Sequence, residues 1–126
     1  MTPIDRANVE ELFAAFAAKD LDAMLALFAD EAVMFDPHYP TPLMAGKAAI
    51  RSGLEWAFGA LQQPGFTIRN FWAGENNAAV EVDTHHIMLG GMELNFPQAF
   101  VLEWRDGLIT RLQAYVPYPP PPMPAA

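Results

Sequence analysis

Asp36 stands directly before Pro37, and within the next six residues come His38, Tyr39, Pro40 and Pro42. The apolar run Ala32 to Phe35 reads as a short buried strand that delivers this carboxylate to a point where the prolines forbid both helix and central sheet. Two uses fit an acid held there. It is a general base in a pocket, or it is a turn residue that accepts backbone N–H groups ahead of a proline.

A second set of polar groups lies further along. Ala78 to Leu89 alternates, with Val80, Val82, Thr84, His86 and Met88 on one face and Glu81, Asp83 and His85 on the other. The apolar set belongs inside, which carries His86 to a place where it can share a proton or a ligand with Asp36. A histidine satisfied within a core is the other reading of His86. Phe96, Gln98, Phe100, Leu102 and Trp104 share a face of the next stretch. If that face is the inner one, Gln98 is a buried amide that needs a partner, and a ligand oxygen would serve. A bulge at Pro97 would reverse the parity. Leu112, Ala114 and Val116 are placed inside in the last stretch, while His38 and Tyr39 either form the mouth of a pocket or fill an exposed loop.

Other chemistries lack their residues. There is no Cys and no HExxH, and His38, His85 and His86 are not at metal-ligand spacing, so no metal is expected. Neither GxGxxG nor a P-loop occurs, which leaves no nucleotide cofactor to expect. Ser52, the only serine, falls in a helical pattern without a nucleophile elbow.

The elements that must position these groups are legible in order. Thr2, Pro3 and Asp5 make a helix start, and Val9, Leu12, Phe13 and Phe16 follow as one apolar stripe. Asp20 is placed to cap a second short helix through Leu21, Met24, Leu25 and Phe28. A third helix spans Gly46 to Leu61, with Ile50, Leu54, Phe58 and Leu61 on one face and Pro64-Gly65 as its stop. Trp56 lies off that stripe, bordering a pocket or simply packed. From Phe66 the period becomes two: strands over Phe66 to Ala73, Ala78 to Leu89, Met92 to Arg105 and Leu108 to Val116 form a meander, with Asp106-Gly107 as a type I′ hairpin turn. Helices first and strands after predict an α+β domain over residues 1–116. The Pro-rich tail, 117–126, reads as polyproline II, as a ligand for an aromatic groove, or as a frayed extension.

Composition bounds the function. With 52% hydrophobic residues, 126 residues suffice for one domain with a core and a cavity. A net charge of −8 with only 7 Lys+Arg argues against nucleic acid as a partner. No apolar leader opens the chain and no apolar run reaches the roughly 18 residues of a membrane span, so a cytoplasmic protein without a membrane partner is expected.

The segments DLDAMLALFADEAVMFDP, GKAAIR, NFPQAF and WRDGLI together resemble the SnoaL-like group of the nuclear transport factor 2 superfamily and the related ketosteroid isomerases. The resemblance spans roughly residues 5–116. It implies a cone-shaped, strongly curved antiparallel sheet with three N-terminal helices closing a pocket, and a homodimer formed through the outer sheet face. Asp36 matches the general base of the ketosteroid isomerases, which work with an oxyanion hole built from a tyrosine and a protonated acid. Leu12 and Leu54 stand where those enzymes have tyrosines, and Ala99 or Phe100 where they have the acid, so no donor is retained there. The expected protein therefore holds a small hydrophobic molecule. It acts either as a cofactor-independent isomerase or cyclase with Asp36 and His86 as its catalytic pair, or as a non-catalytic binding or dimerisation module. The ligand is expected among Phe16, His38, Tyr39, Trp56, Val82, Thr84, Met88, Gln98, Phe100 and Leu112.

Overall fold

The computed structural model describes residues 5–116, and Thr2, Pro3 and the tail 117–126 lie outside them. In chain order the elements are α1 (Arg6–Ala17), α2 (Leu21–Leu25), β1 (Phe28–Phe35), β2 (Leu43–Ala45), α3 (Lys47–Ala60), β3 (Leu61–Gln63), β4 (Phe66–Ala73), β5 (Asn77–Met88), β6 (Glu93–Arg105) and β7 (Leu108–Tyr115). No helix among the described residues is long and apolar enough to cross a membrane.

Asp5 is the cap of α1 rather than an acid within its first turn. Its side chain accepts from the Asn8 N–H at 3.1 Å while the Asn8 side chain accepts from the Asp5 N–H at 2.9 Å, a reciprocal box that satisfies two otherwise orphaned donors. Val9, Leu12, Phe13 and Phe16 are buried as one stripe. Asp20 caps α2 by accepting from the Ala23 N–H, but that helix ends at Leu25 and does not reach Phe28. Phe28 instead opens β1, where it pairs with Ile109; the Ile109 N–H bonds to the Leu27 carbonyl at 2.9 Å. Similarly, α3 closes at Ala60, and Leu61 turns into β3 against Ile87 and Met88. β2 and β3 are three residues each, too short to show a period.

The sheet runs β2-β1-β7-β6-β5, and β3 and β4 share the far edge of β5. β1 lies parallel to β7, and the other pairs are antiparallel. Register shifts occur in the β1–β7, β3–β5, β4–β5 and β6–β7 pairs, and such bulges bend and twist a strand. The result is the expected curved α+β sheet closed over by helices. Between β5 and β6 the ladder is unbroken from Asn77↔Glu103 to Ile87↔Glu93, so Pro97 makes no bulge there and Gln98 stays inside, 7% exposed. Pro97 is tolerated because β7 pairs with β6 only from Ala99 onward, leaving its missing N–H on an open edge.

The outer face divides in two. One part is polar, with Arg69–Asp83, Asn70–Glu81 and His85–Glu93 paired across strands at 2.8–2.9 Å. The other is an apolar band, where Trp72, Ala79 and Val101 are consecutive cross-strand neighbours and Tyr115 lies opposite Ala99; Trp72 and Tyr115 are each more than half exposed.

Two glycines of α3 make a test of how closely the loop after β1 is seated. A methyl group at Gly53 would collide with the Met44 sulfur and come within 3.2 Å of the Tyr39 ring, whereas one at Gly59 would meet nothing within 4 Å. Alanine is favoured over glycine in a helix by up to about 1 kcal/mol. Gly59→Ala is therefore expected to raise the thermal midpoint and Gly53→Ala to lower it; equal shifts in differential scanning fluorimetry would mean that Tyr39 and Met44 are not packed against α3.

Candidate functional site

The loop from Asp36 to Pro42 is tied around its own acid. The Asp36 N–H bonds to the Pro42 carbonyl at 3.0 Å, the Tyr39 N–H bonds to the Asp36 carbonyl at 3.1 Å, and the His38 N–H donates to Asp36 Oδ1 at 2.9 Å. This is the turn geometry expected of an acid before proline. It uses only one carboxylate oxygen: Oδ2 accepts no hydrogen bond from any described residue. Burial raises the Asp36 pKa above 3.8 against the opposing pull of the His38 N–H and of charge on the His38 ring. The turn thus leaves the second carboxylate oxygen of Asp36 unengaged.

Asp36, His38, Tyr39 and His86 line a common cavity beneath α1 and α3. It encloses about 70 Å³, and the whole concavity with its solvent-filled mouth is about 770 Å³. Aromatic side chains take up much of the cone: Phe66 packs on Phe13 at 4.9 Å between ring centres, on Phe16 at 5.4 Å and on Phe100 at 5.5 Å. Leu12, Leu54 and Phe100 are part of the apolar wall, and Ala99 does not line the cavity.

His86 reaches the cavity from β5, its ring against Phe66 and Phe16. The Gly65 N–H donates to its Nδ1 at 3.1 Å. Burial first, then the neighbouring His38, lower its pKa to about 4, with the His85 carbonyl opposing and the His85 ring adding a little. The imidazole is neutral at pH 7. No hydrogen bond joins it to Asp36; His38 is the group that interacts with both. His38 Nε2 is buried without a partner, and its ring stands edge-on to Phe96 at 5.3 Å. Tyr39 packs on Trp56 at 5.4 Å, and burial together with the Asp36 charge keeps its phenol protonated well above the usual range.

Phe16, His38, Tyr39, Trp56, Gln98, Phe100 and Leu112 also line this cavity, and Val82, Thr84 and Met88 do not. All three are buried as the strand parity predicts, but the sheet's inner face extends beyond the cavity. Val82 borders the outer groove beside Asp83 and Pro97, and Met88 pairs with Leu61 at the β3 end. The Thr84 hydroxyl holds Gln98, accepting from its Nε2 at 2.7 Å, while Gln98 Oε1 is buried without a partner. The sequence reading omitted Phe13 and Phe66, although both lie on inward stripes, and Leu94 and Phe96, which share the parity of Gln98. Among the described residues no three His, Asp or Glu are grouped to hold a metal ion.

The sequence pattern of the SnoaL-like domain matches residues 9–112, and the chain belongs to that family. A search among curated proteins returns no match. Among solved structures, a ketosteroid isomerase-like fold protein from Catenulispora acidiphila, in complex with trimethylamine, is 22% identical with a TM-score of 0.77, covering 88% of this chain and 84% of its own. A Xanthomonas campestris protein described as a candidate polyketide cyclase is 25% identical, with a TM-score of 0.73 and 85% of each chain covered. A Mycobacterium tuberculosis protein in complex with estradiol-17beta-hemisuccinate is 22% identical, with a TM-score of 0.75, covering 85% of this chain and 88% of its own.

The two perturbed groups act on stability in opposite senses. Below pH 6.5 the unfolded chain protonates His86 while the folded chain resists down to about pH 4, so stability falls across that window, by up to about 3 kcal/mol. His86→Phe is expected to flatten this slope. Asp36 holds its proton more tightly when folded, so its ionisation costs stability as pH rises above 3.8. Asp36→Asn, which keeps an acceptor for the His38 N–H, is expected to raise the unfolding midpoint at pH 7 and to leave it unchanged at pH 3. A loss at pH 7 would show the carboxylate to be tied into the turn rather than desolvated.

Proposed function

We propose that this member of the SnoaL-like family binds a small, largely apolar carbonyl compound in the cavity and moves a proton on it, as an isomerase or cyclase that needs no cofactor. The observation that carries the reading is Asp36: a carboxylate in the wall of an apolar cavity, one oxygen fixed by the His38 N–H and the other free, with burial raising its basicity. Oδ2 takes a proton from carbon next to the carbonyl, and the C–H electron pair moves to the carbonyl oxygen as an enolate. In an isomerisation the carboxyl returns that proton to another carbon of the conjugated system. In a cyclisation the enolate carbon attacks a second carbonyl of the same molecule, and the proton goes to the new alkoxide. The Xanthomonas protein described as a candidate cyclase and the Mycobacterium protein holding a steroid conjugate support a polycyclic or cyclisable ligand class.

A second reading, a binding module without catalysis, is favoured by one observation: Leu12, Leu54 and Phe100 line the cavity with side chains that donate no hydrogen bond. Deuterium exchange separates the two. With 2-tetralone in D2O, followed by proton NMR, the protein is expected to speed loss of the α-proton signal, and Asp36→Asn to reduce that rate by about 10²–10⁴. A ketone that binds but exchanges at the buffer rate assigns the protein to the second reading.

The apolar band of Trp72, Ala79, Val101 and Tyr115 supports a homodimer through the outer sheet face, since in a lone copy Trp72 and Tyr115 remain more than half exposed. Light scattering at micromolar concentration is expected to give twice the monomer mass, and Trp72→Glu to halve it; a monomer in the parent protein removes the proposal.

A further inference from the structure

We infer that His86 is the pocket's fixed hydrogen-bond donor to a ligand oxygen, its ring set in the Nε2–H tautomer by the backbone N–H of Gly65. The role given to the ligand rests on the carbonyl-compound reading above; the tautomer does not.

The assignment follows from where the hydrogens must be. Gly65 donates its N–H to His86 Nδ1 at 3.1 Å, so Nδ1 is the acceptor and the ring's one hydrogen is on Nε2. The competing tautomer would set two N–H groups against each other across that 3.1 Å. Gly65 cannot yield easily. Its carbonyl accepts the His85 N–H at 2.9 Å, which makes a two-point clamp on residues 85 and 86. A side chain there would come within 2.8 Å of the His85 carbonyl oxygen, and the preceding Pro64 is fully buried. The ring is held from the sides as well, by Phe16 and Phe66.

Nε2 is what remains. His86 lines the cavity, and its Nε2 bonds to no described residue. A neutral N–H in an apolar wall is suited to a carbonyl oxygen and to the charge that develops there when the α-proton leaves. Gln98 adds a second unmet need, since its Oε1 is buried without a partner and the residue is over nine-tenths buried in the same wall. A hydroxyl on the ligand would answer it. The implied ligand carries a carbonyl oxygen for His86 and a hydroxyl for Gln98 on an otherwise apolar frame. Gly65 is then a positioning residue that acts through His86.

Nitrogen-15 NMR of the histidine side chains tests this on the ligand-free protein. The expected spectrum at pH 7 has an unprotonated Nδ1 and a protonated Nε2 for His86, identified by its loss in His86→Phe. An Nδ1–H or doubly protonated ring overturns the inference whatever the protein does with ketones. Gly65→Ala is expected to give mixed tautomers, and a pure Nε2–H ring in that variant removes Gly65 from the account. Addition of 2-tetralone is then expected to shift the Nε2 resonance, with binding about tenfold weaker in His86→Phe, the loss of one hydrogen bond. If the ketone quenches Trp56 fluorescence but leaves Nε2 unmoved, His86 is not the donor and the carbonyl reading stands. If the ketone does not bind at all, that reading fails and the ligand half of this inference falls with it, while the tautomer result is unaffected.

Discussion

The pairing of β1 with β7 is the constraint on which the site depends. Residues 33–35 lie beside residues 111–113 in parallel, so the chain must travel through α3 and five further strands before its last strand can fix its first. Parallel neighbours cannot be joined by a tight turn, and here the long connection is the cavity itself. Its floor is the inner face of β5 and β6, and its roof is α1 and α3. Asp36 follows the end of β1, where the loop that carries Tyr39 packs against α3.

Within that enclosure, burial is the dominant electrostatic effect, and it acts towards the uncharged form: upward for Asp36 and Tyr39, downward for His86. An inward acid and an inward histidine are expected from the sequence to share a proton or a ligand. The structure has two separately desolvated groups, each of which interacts with His38. This division suits proton transfer better than an ion pair would, because a salt bridge would lower the basicity of the carboxylate and hold the imidazole charged.

Much of this was legible from residue order. The alternation in Ala78 to Leu89 placed His86 inside because a period of two leaves no other face for it, and the prolines after Phe35 marked the loop because proline cannot continue a ladder. Phe28 was misread because Leu21, Met24, Leu25 and Phe28 fit a helical spacing; pairing with Ile109, about 80 residues away, overrode it. β2 and β3 escaped notice because three residues carry no period. The extent of the cavity was also beyond reach of parity: inward-facing and cavity-facing are different properties once a strand is longer than the space it borders, as Val82 and Met88 show. The Gly65 N–H on His86 is a contact between backbone and ring across 21 residues, and no local pattern encodes it.

Gly53 is a notch in α3, and Tyr39 is the part that fits it. A strap seated in a notch is fixed in length as well as in position, so insertions or deletions between Asp36 and Pro42 would unseat Tyr39 and turn the acid away together. Phe96, whose ring meets that of His38 edge-on, lies on β6 outside the strap, so its substitution leaves that seating alone. For anyone redesigning the cavity to admit a different molecule, Phe96 is the adjustable part and the strap is the part to leave untouched.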